Sequence, residues 1–154
     1  MKSILIPLFV LSYLISFAQW DIGHYVDDFG EETEERFLHQ TVSGTFSNSE
    51  STNAKCTYFI EHNKKEKVLG ISIYPYDGNS MESFYEDTFQ DVKIKKPSGE
   101  LVTIEAFCFE GIIYFDYEEY VQLMDALKEK GEYKVAMTYN TDSTQSSYRF
   151  KFNN

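Results

Sequence analysis

Tyr133-Lys134-Val135-Ala136-Met137-Thr138-Tyr139 alternates without a break, with Tyr133, Val135, Met137 and Tyr139 on one face and Lys134, Ala136 and Thr138 on the other. Successive side chains of a strand point to opposite faces, so this period of two describes a strand with one buried and one wet face; a helix, with its period of 3.6, would scatter the same residues around its axis. The polar run Asn140 to Ser143 follows, and then Tyr148, Phe150 and Phe152 alternate with Arg149 and Lys151. A polar turn between two alternating runs reads as a pair of antiparallel, half-buried strands.

The same pattern extends upstream. Leu69, Ile71 and Ile73 face away from Gly70, Ser72 and Tyr74, and Val92 and Ile94 alternate with Lys93 and Lys95. Ala54, Cys56, Tyr58 and Ile60 share a face, as do Val102, Ile104, Ala106 and Cys108. Turn residues punctuate these runs at Asn48-Ser49, Asp77-Gly78-Asn79 and Pro97-Ser98-Gly99. Counting runs between turns predicts a mostly β fold of about seven or eight strands, an antiparallel β-sandwich or a partly closed barrel. One segment changes period: Asp116 stands where a cap belongs, Glu119 follows three residues later, and Tyr120, Leu123, Met124 and Leu127 recur at helical spacing before Gly131. It predicts one helix over about 117–130, laid against the sheet or closing one end of it.

The N-terminus has a different character. Met1-Lys2-Ser3 precedes the apolar run Ile4 to Phe17, broken by Pro7 and Ser12, and Ala18 precedes Gln19. A basic start, an apolar middle shorter than the ~20 residues of a membrane span and a small residue at a cut site predict a signal peptide over 1–18, cleaved between Ala18 and Gln19. Residues 19–154 are then expected as a single β-rich domain, exported to the periplasm or secreted, without membrane insertion after cleavage. The formal charge is −11 and becomes −12 when Lys2 leaves, which disfavours nucleic acid and anionic lipid as partners. Cys56 and Cys108 are the only cysteines. Both lie on core-facing positions of an exported chain, where a disulfide between them is expected and two buried thiols are the alternative.

No nucleophile elbow, phosphate-cradling glycine loop or dinucleotide fingerprint occurs, and His24, His39 and His62 have no zinc spacing. No metal, cofactor or catalytic residue is therefore expected, and the chain reads as a non-enzyme. The acidic stretch Asp27 to Glu35 reads as a solvated loop. Twelve tyrosines, thirteen phenylalanines and Trp20 exceed what a domain of this size hides. Tyr74, Tyr76, Tyr114 and Tyr117 stand nearest to turns or to the helix start, where a rigid ring with a polar tip serves recognition.

The segments Asp27-Asp28-Phe29-Gly30-Glu31-Glu32-Thr33 and Gly44-Thr45-Phe46-Ser47-Asn48-Ser49, followed by the helix and the terminal Tyr148-Arg149-Phe150, resemble small secreted bacterial proteins of the Bacteroidota type whose function is unknown. The pairing of D-x-F-G with G-x-F-S-N-S is the specific part, with Glu50 departing from the small residue expected next. The resemblance covers most of the chain after the leader. It implies export and a β-rich fold, and no reaction. Physically, Gly44 suits a bulge or a close backbone approach, Phe46 suits the core and Asn48 suits positive φ. The functional expectation is that the 27–33 and 44–49 segments meet at one end of the fold as a loop pair.

The candidate binding residues are accordingly Asp27, Asp28, Phe29, Asn48, Tyr74 and Tyr76. The leading expectation is a non-catalytic module that binds an unknown protein or glycan. Its rivals are an acidic inhibitor or immunity-type protein capping a basic enzyme and, third, a small hydrolase using a carboxylate pair.

Overall fold

The computed structural model describes residues 20–75, 88–109, 111–140 and 145–154. The expected leader and its cut site, Tyr76, the Asp77-Gly78-Asn79 turn and residues 141–143 of the next turn lie outside them. Within the described residues every strand anticipated from alternation is present. In chain order the elements are β1 (Asp21–Val26), β2 (Glu32–Ser47), β3 (Ala54–Asn63), β4 (Val68–Pro75), β5 (Thr88–Lys95), β6 (Leu101–Phe109), β7 (Ile112–Phe115), α1 (Tyr117–Ala126), β8 (Glu132–Asn140) and β9 (Gln145–Asn153).

All ladders are antiparallel, in the order β1-β2-β3-β4-β7-β6-β5-β8-β9, and β9 pairs back onto β2. β2 to β9 thus form a closed eight-stranded barrel, and β1 is a ninth strand added to the outside edge of β2. Of the two forms expected, the chain adopts the barrel, and closes it fully. Closure depends on Gly44: a Cβ there would sit 2.3 Å from the Arg149 carbonyl oxygen and 2.8 Å from Phe150 Cβ. Only a residue without a side chain lets β9 come this near.

Three elements differ from expectation, each for a local reason. β7 is four residues long and apolar throughout, too short to display a period. Glu32 to Glu35, read as loop, instead begin β2 and pair with β1, because a strand solvated on both faces carries no alternation. The helix ends at Ala126 rather than near 130. Leu127 N–H makes the last helical bond to the Leu123 carbonyl at 2.9 Å, and Asn154 Nδ2 caps the Leu127 carbonyl at 2.5 Å. Asp116 does occupy the cap position, but its side chain makes no capping bond.

The interior is solid. Tyr58 and Tyr133 are fully buried, and each phenol donates to a carbonyl, Thr45 at 2.9 Å and Glu129 at 2.7 Å, so neither phenol is stranded. Tyr58 also stacks on Phe150 at 4.4 Å. Leu123, Ala126 and Leu127 of the helix region close one end, leaving an internal gap of about 10 Å³ beneath them. That is no more than a water needs. Among the described residues, the barrel interior beneath the helix therefore leaves no room for a ligand.

His62, on the inner face of β3, joins three elements at the helix end. Its Nε2 lies 2.8 Å from the Tyr120 hydroxyl, and Trp20 meets its ring edge-on at 6.1 Å. Burial, and secondarily the Lys64 charge, push its pKa below the ordinary 6.5.

The expected Cys56–Cys108 bridge is absent; both are buried free thiols. Cys56 lies on β3 and Cys108 on β6, with β4 and β7 between them in the wall. They also differ in height, since the ladder through Cys108 runs by way of Ile113 and Ile71 to Ile60, four residues along β3 from Cys56. Such a separation exceeds the ~7 Å between Cα atoms that a disulfide tolerates. Burial raises both thiols, Cys108 to about 12, which leaves them inert as nucleophiles.

Two outcomes follow from this core. Without reductant, a thiol reagent should find two free cysteines per chain in denatured protein and none within minutes in the native state; a single oxidised species on non-reducing electrophoresis contradicts the arrangement. Because folding holds His62 neutral, the unfolded chain takes up its proton first, and stability should fall as pH drops below about 6.5. Thermal melts from pH 7 to pH 5 should show that decline, with a shallower slope for His62→Gln.

Candidate functional site

The two resemblance motifs prove to be turn chemistry. Asp27 Oδ1 accepts the N–H groups of Phe29 at 2.9 Å and Glu31 at 3.0 Å, while Gly30, at φ 80°, donates to the Asp27 carbonyl at 3.0 Å. This is an Asx-stabilised hairpin turn between β1 and β2. Asn48 repeats the device between β2 and β3: its Oδ1 accepts from Glu50 at 3.1 Å and Ser51 at 2.8 Å. The positive φ expected of Asn48 falls instead on Asn53, at 52°, whose N–H bonds Ser47 Oγ at 2.9 Å. Phe46 is buried, and Gly44 makes the close approach already described.

The expected loop pair does not form. The 27–33 turn and the 44–49 segment are the two ends of β2, sixteen residues of continuous strand, which extends about 50 Å. Asp27, Asp28 and Phe29 therefore sit at the tip of a ribbon on the helix side, whereas Asn48 and Tyr74 sit at the opposite end of the barrel. Phe29 is 91% exposed and Tyr74 56%. Tyr117, at the helix start, is 82% exposed, whereas Tyr114 is half-buried on β7.

The root of the ribbon is braced on its outer face by a file of rings: Tyr25 on Phe37 at 4.8 Å, Phe37 on His39 at 5.7 Å, and His39 stacked on Phe59 at 5.2 Å. Tyr25 donates to Glu61 Oε1 at 2.5 Å and accepts from Asn63 Nδ2 at 3.1 Å; burial and Glu61 raise its phenol to about 12. The rings hold the ribbon to β3, which makes them scaffold.

A different constellation gathers on the outer face of β5, β8 and β9. Ladder register places Lys93, Ala136 and Arg149 in one row across these strands, and Lys95, Lys134 and Lys151 in the next. All five cations point outward and are exposed. Directly opposed residues of an antiparallel pair hold their Cβ atoms about 5 Å apart, and like charges so placed are destabilising. Lys95 faces Lys134, and Lys134 faces Lys151. Relief comes from Glu132, 3.3 Å from Lys151; Lys93, Lys95, Lys134 and Arg149 make no ion pair among the described residues. The patch lines a groove of about 530 Å³ that runs over Ala136 between Leu101, 61% exposed, and Ser43 to Thr45 of β2. A second depression of about 610 Å³ continues it past Arg149 to Phe89.

Within that continuation Asp91 and Glu105 stand directly opposite one another. They are the carboxylate pair that the hydrolase expectation required, but both stand exposed on an open wall without the enclosure that acid–base catalysis uses. Among the described residues no group of three or more His, Cys, Asp or Glu is placed to hold a metal ion.

Sequence reasoning missed the basic groove although its elements were visible. The outward positions of V-K-I-K, Y-K-V-A and Y-R-F-K are all cationic or small. What the sequence lacks is the adjacency of β5 to β8, which only the barrel order supplies. No protein-family model, curated protein or solved structure matches the chain.

The turn geometry separates the two motif residues. Phe29→Ala should change stability by less than about 0.5 kcal/mol, because the ring touches water, whereas Asn48→Ala should lose about 1 kcal/mol, because two backbone donors lose their acceptor. Urea denaturation of both variants measures this, and the reverse ranking would overturn the assignment.

Proposed function

We propose that this protein is an exported, non-catalytic binding module that holds an acidic segment of a protein partner in the groove over β5, β8 and β9. The observation that carries the reading is the row Lys95, Lys134 and Lys151, opposed charge to charge across three strands. Such a row lowers the stability of the free protein and is relieved when carboxylates enter the groove. With the interior filled, recognition belongs to the outer wall.

A polypeptide suits the groove better than a glycan. The floor is apolar, with Ala136 at its centre, Leu101 at its edge and the methylene stems of the lysines around them, so the ligand must bring apolar side chains together with its carboxylates. Lys93 and Lys95 are two residues apart on one strand, a spacing of about 7 Å that alternate residues of an extended peptide reproduce. The inhibitor reading keeps one supporting observation, the protruding acidic hairpin with Phe29 at its tip, which has the shape of an insertion element.

Calorimetric titration with poly-L-glutamate, and with poly-L-glutamine as the neutral control, tests the groove. Poly-glutamate should bind, weaken steeply as salt rises, and lose at least about tenfold in affinity with the double change Lys95→Glu and Lys134→Glu. Equal binding by wild type and variant overturns the reading. Binding of polygalacturonate without poly-glutamate transfers the groove to an acidic glycan.

A further inference from the structure

The groove has a counterpart on the same chain. At the tip of the β1–β2 ribbon, Asp28, Glu31 and Glu32 surround Phe29, with Asp27 committed to the turn itself. A large ring left 91% exposed on a hydrogen-bonded turn is poor solution chemistry and good interface chemistry, since anchored aromatics carry much of the energy of protein contacts. From Glu32 to Phe37, β2 has β1 as its only strand partner among the described residues, so the tip stands clear of the barrel they form. It cannot fold back onto its own groove. Ser43, on the groove wall, and Glu31, at the turn, are separated by twelve residues of extended chain, about 40 Å.

We propose that the occupant of the groove is the β1–β2 hairpin tip of a second copy of this chain. Phe29 of one copy lies over Ala136 of the next, and Asp28, Glu31 and Glu32 pair with Lys95, Lys134, Lys151 and Arg149. The acidic side of the tip turns toward the lysine row and away from Asp91 and Glu105, which line the far end of the depression. This rests on the groove reading above and names its partner. The contact is heterologous: tip and groove are different surfaces, and every copy keeps one of each free. Such association propagates head to tail, as an open chain or a closed ring. The overall charge of −11 opposes association at long range, but at about 0.15 M salt, charges more than about 8 Å apart are screened and the contact pairs dominate.

Light scattering on size-exclusion fractions of the purified protein tests this with two variants at exposed positions, each checked by its melting temperature. Asp28→Lys with Phe29→Ser disables the tip and spares Asp27; Lys95→Glu with Lys134→Glu disables the groove. Wild type should show a mass that rises with concentration at about 0.15 M salt and falls toward monomer at about 1 M. Each variant alone should remain monomeric where wild type associates. An equimolar mixture should give a 1:1 dimer and nothing larger, since it contains one working tip and one working groove. The proposal is overturned if wild type is monomeric up to millimolar concentration, if either variant associates as wild type does, or if the mixture stays monomeric. Poly-glutamate binding separates the two levels: wild type that is monomeric yet binds poly-glutamate keeps the groove and loses the self-contact, and failure of both removes both.

Discussion

The seam between β2 and β9 is the constraint on which the structure depends. Only four residue pairs make it, Gly44–Ser47 against Ser147–Phe150, yet it converts an open sheet with two exposed edges into a barrel. Unpaired edges invite association with other strands, and closure covers the edge of β9, leaving β1 as the edge strand among the described residues. The seam is short because β2 leaves it early: past Gly44 toward its N-terminus, the strand departs to take β1 as partner. Gln40 Nε2 reaches across the parting to the Asn153 carbonyl at 3.2 Å. Tyr58 locks the closed state from within, hydrogen-bonded to Thr45 and stacked on Phe150, so β3 secures the joint between its neighbour β2 and the last strand of the chain.

Closure in this order has a consequence for charge. The helix carries the chain from β7 across one end of the barrel, so that β8 enters between β5 and β9. The β8–β9 hairpin thereby comes to lie beside β5, a strand far from it in sequence. Each of the three alone is an unremarkable half-buried strand with lysine or arginine on its wet face, a common way to keep a strand soluble. Side by side they put like charges in register, an arrangement that free stability disfavours and ligand binding rewards. Ala136, the small residue at the centre, makes the surface concave; a longer side chain there would fill the groove.

Much of the fold was legible in the sequence because it rests on the period-two burial of residues such as Tyr133, Val135 and Met137, whose signal is local. The helix was legible through Leu123 and Leu127, but its end was not, because Asn154, distant in sequence, caps the Leu127 carbonyl where it stops. Gly44 and Phe46 were read correctly as close approach and core, being chemically specific residues at their positions. The pairing of Cys56 with Cys108 was misread because an inward-pointing position says nothing about which strand lies nearby. The same ignorance of neighbours misplaced the two motif turns, which the sixteen residues of β2 carry to opposite ends. The site itself was the least legible element, since it exists only between strands.

Net charge illustrates the difference between a property of the chain and a property of its surface. A value of −11 describes the potential seen from far away, and at physiological ionic strength that view is lost beyond about 8 Å. The basic grid covers two rows of residues, about 7 Å apart, across three strands spaced about 5 Å from one another, so each member lies within that screening length of its neighbours and adjacent charges act together. The acidic turn at Asp27 to Glu32 is likewise local, and β2 holds it about 40 Å from the grid, where neither cancels the other. An approaching molecule therefore meets a positive groove or a negative tip, and never the average. A rigid, filled barrel preserves that separation, because the strand that closes it is the one that extends outward to carry the tip.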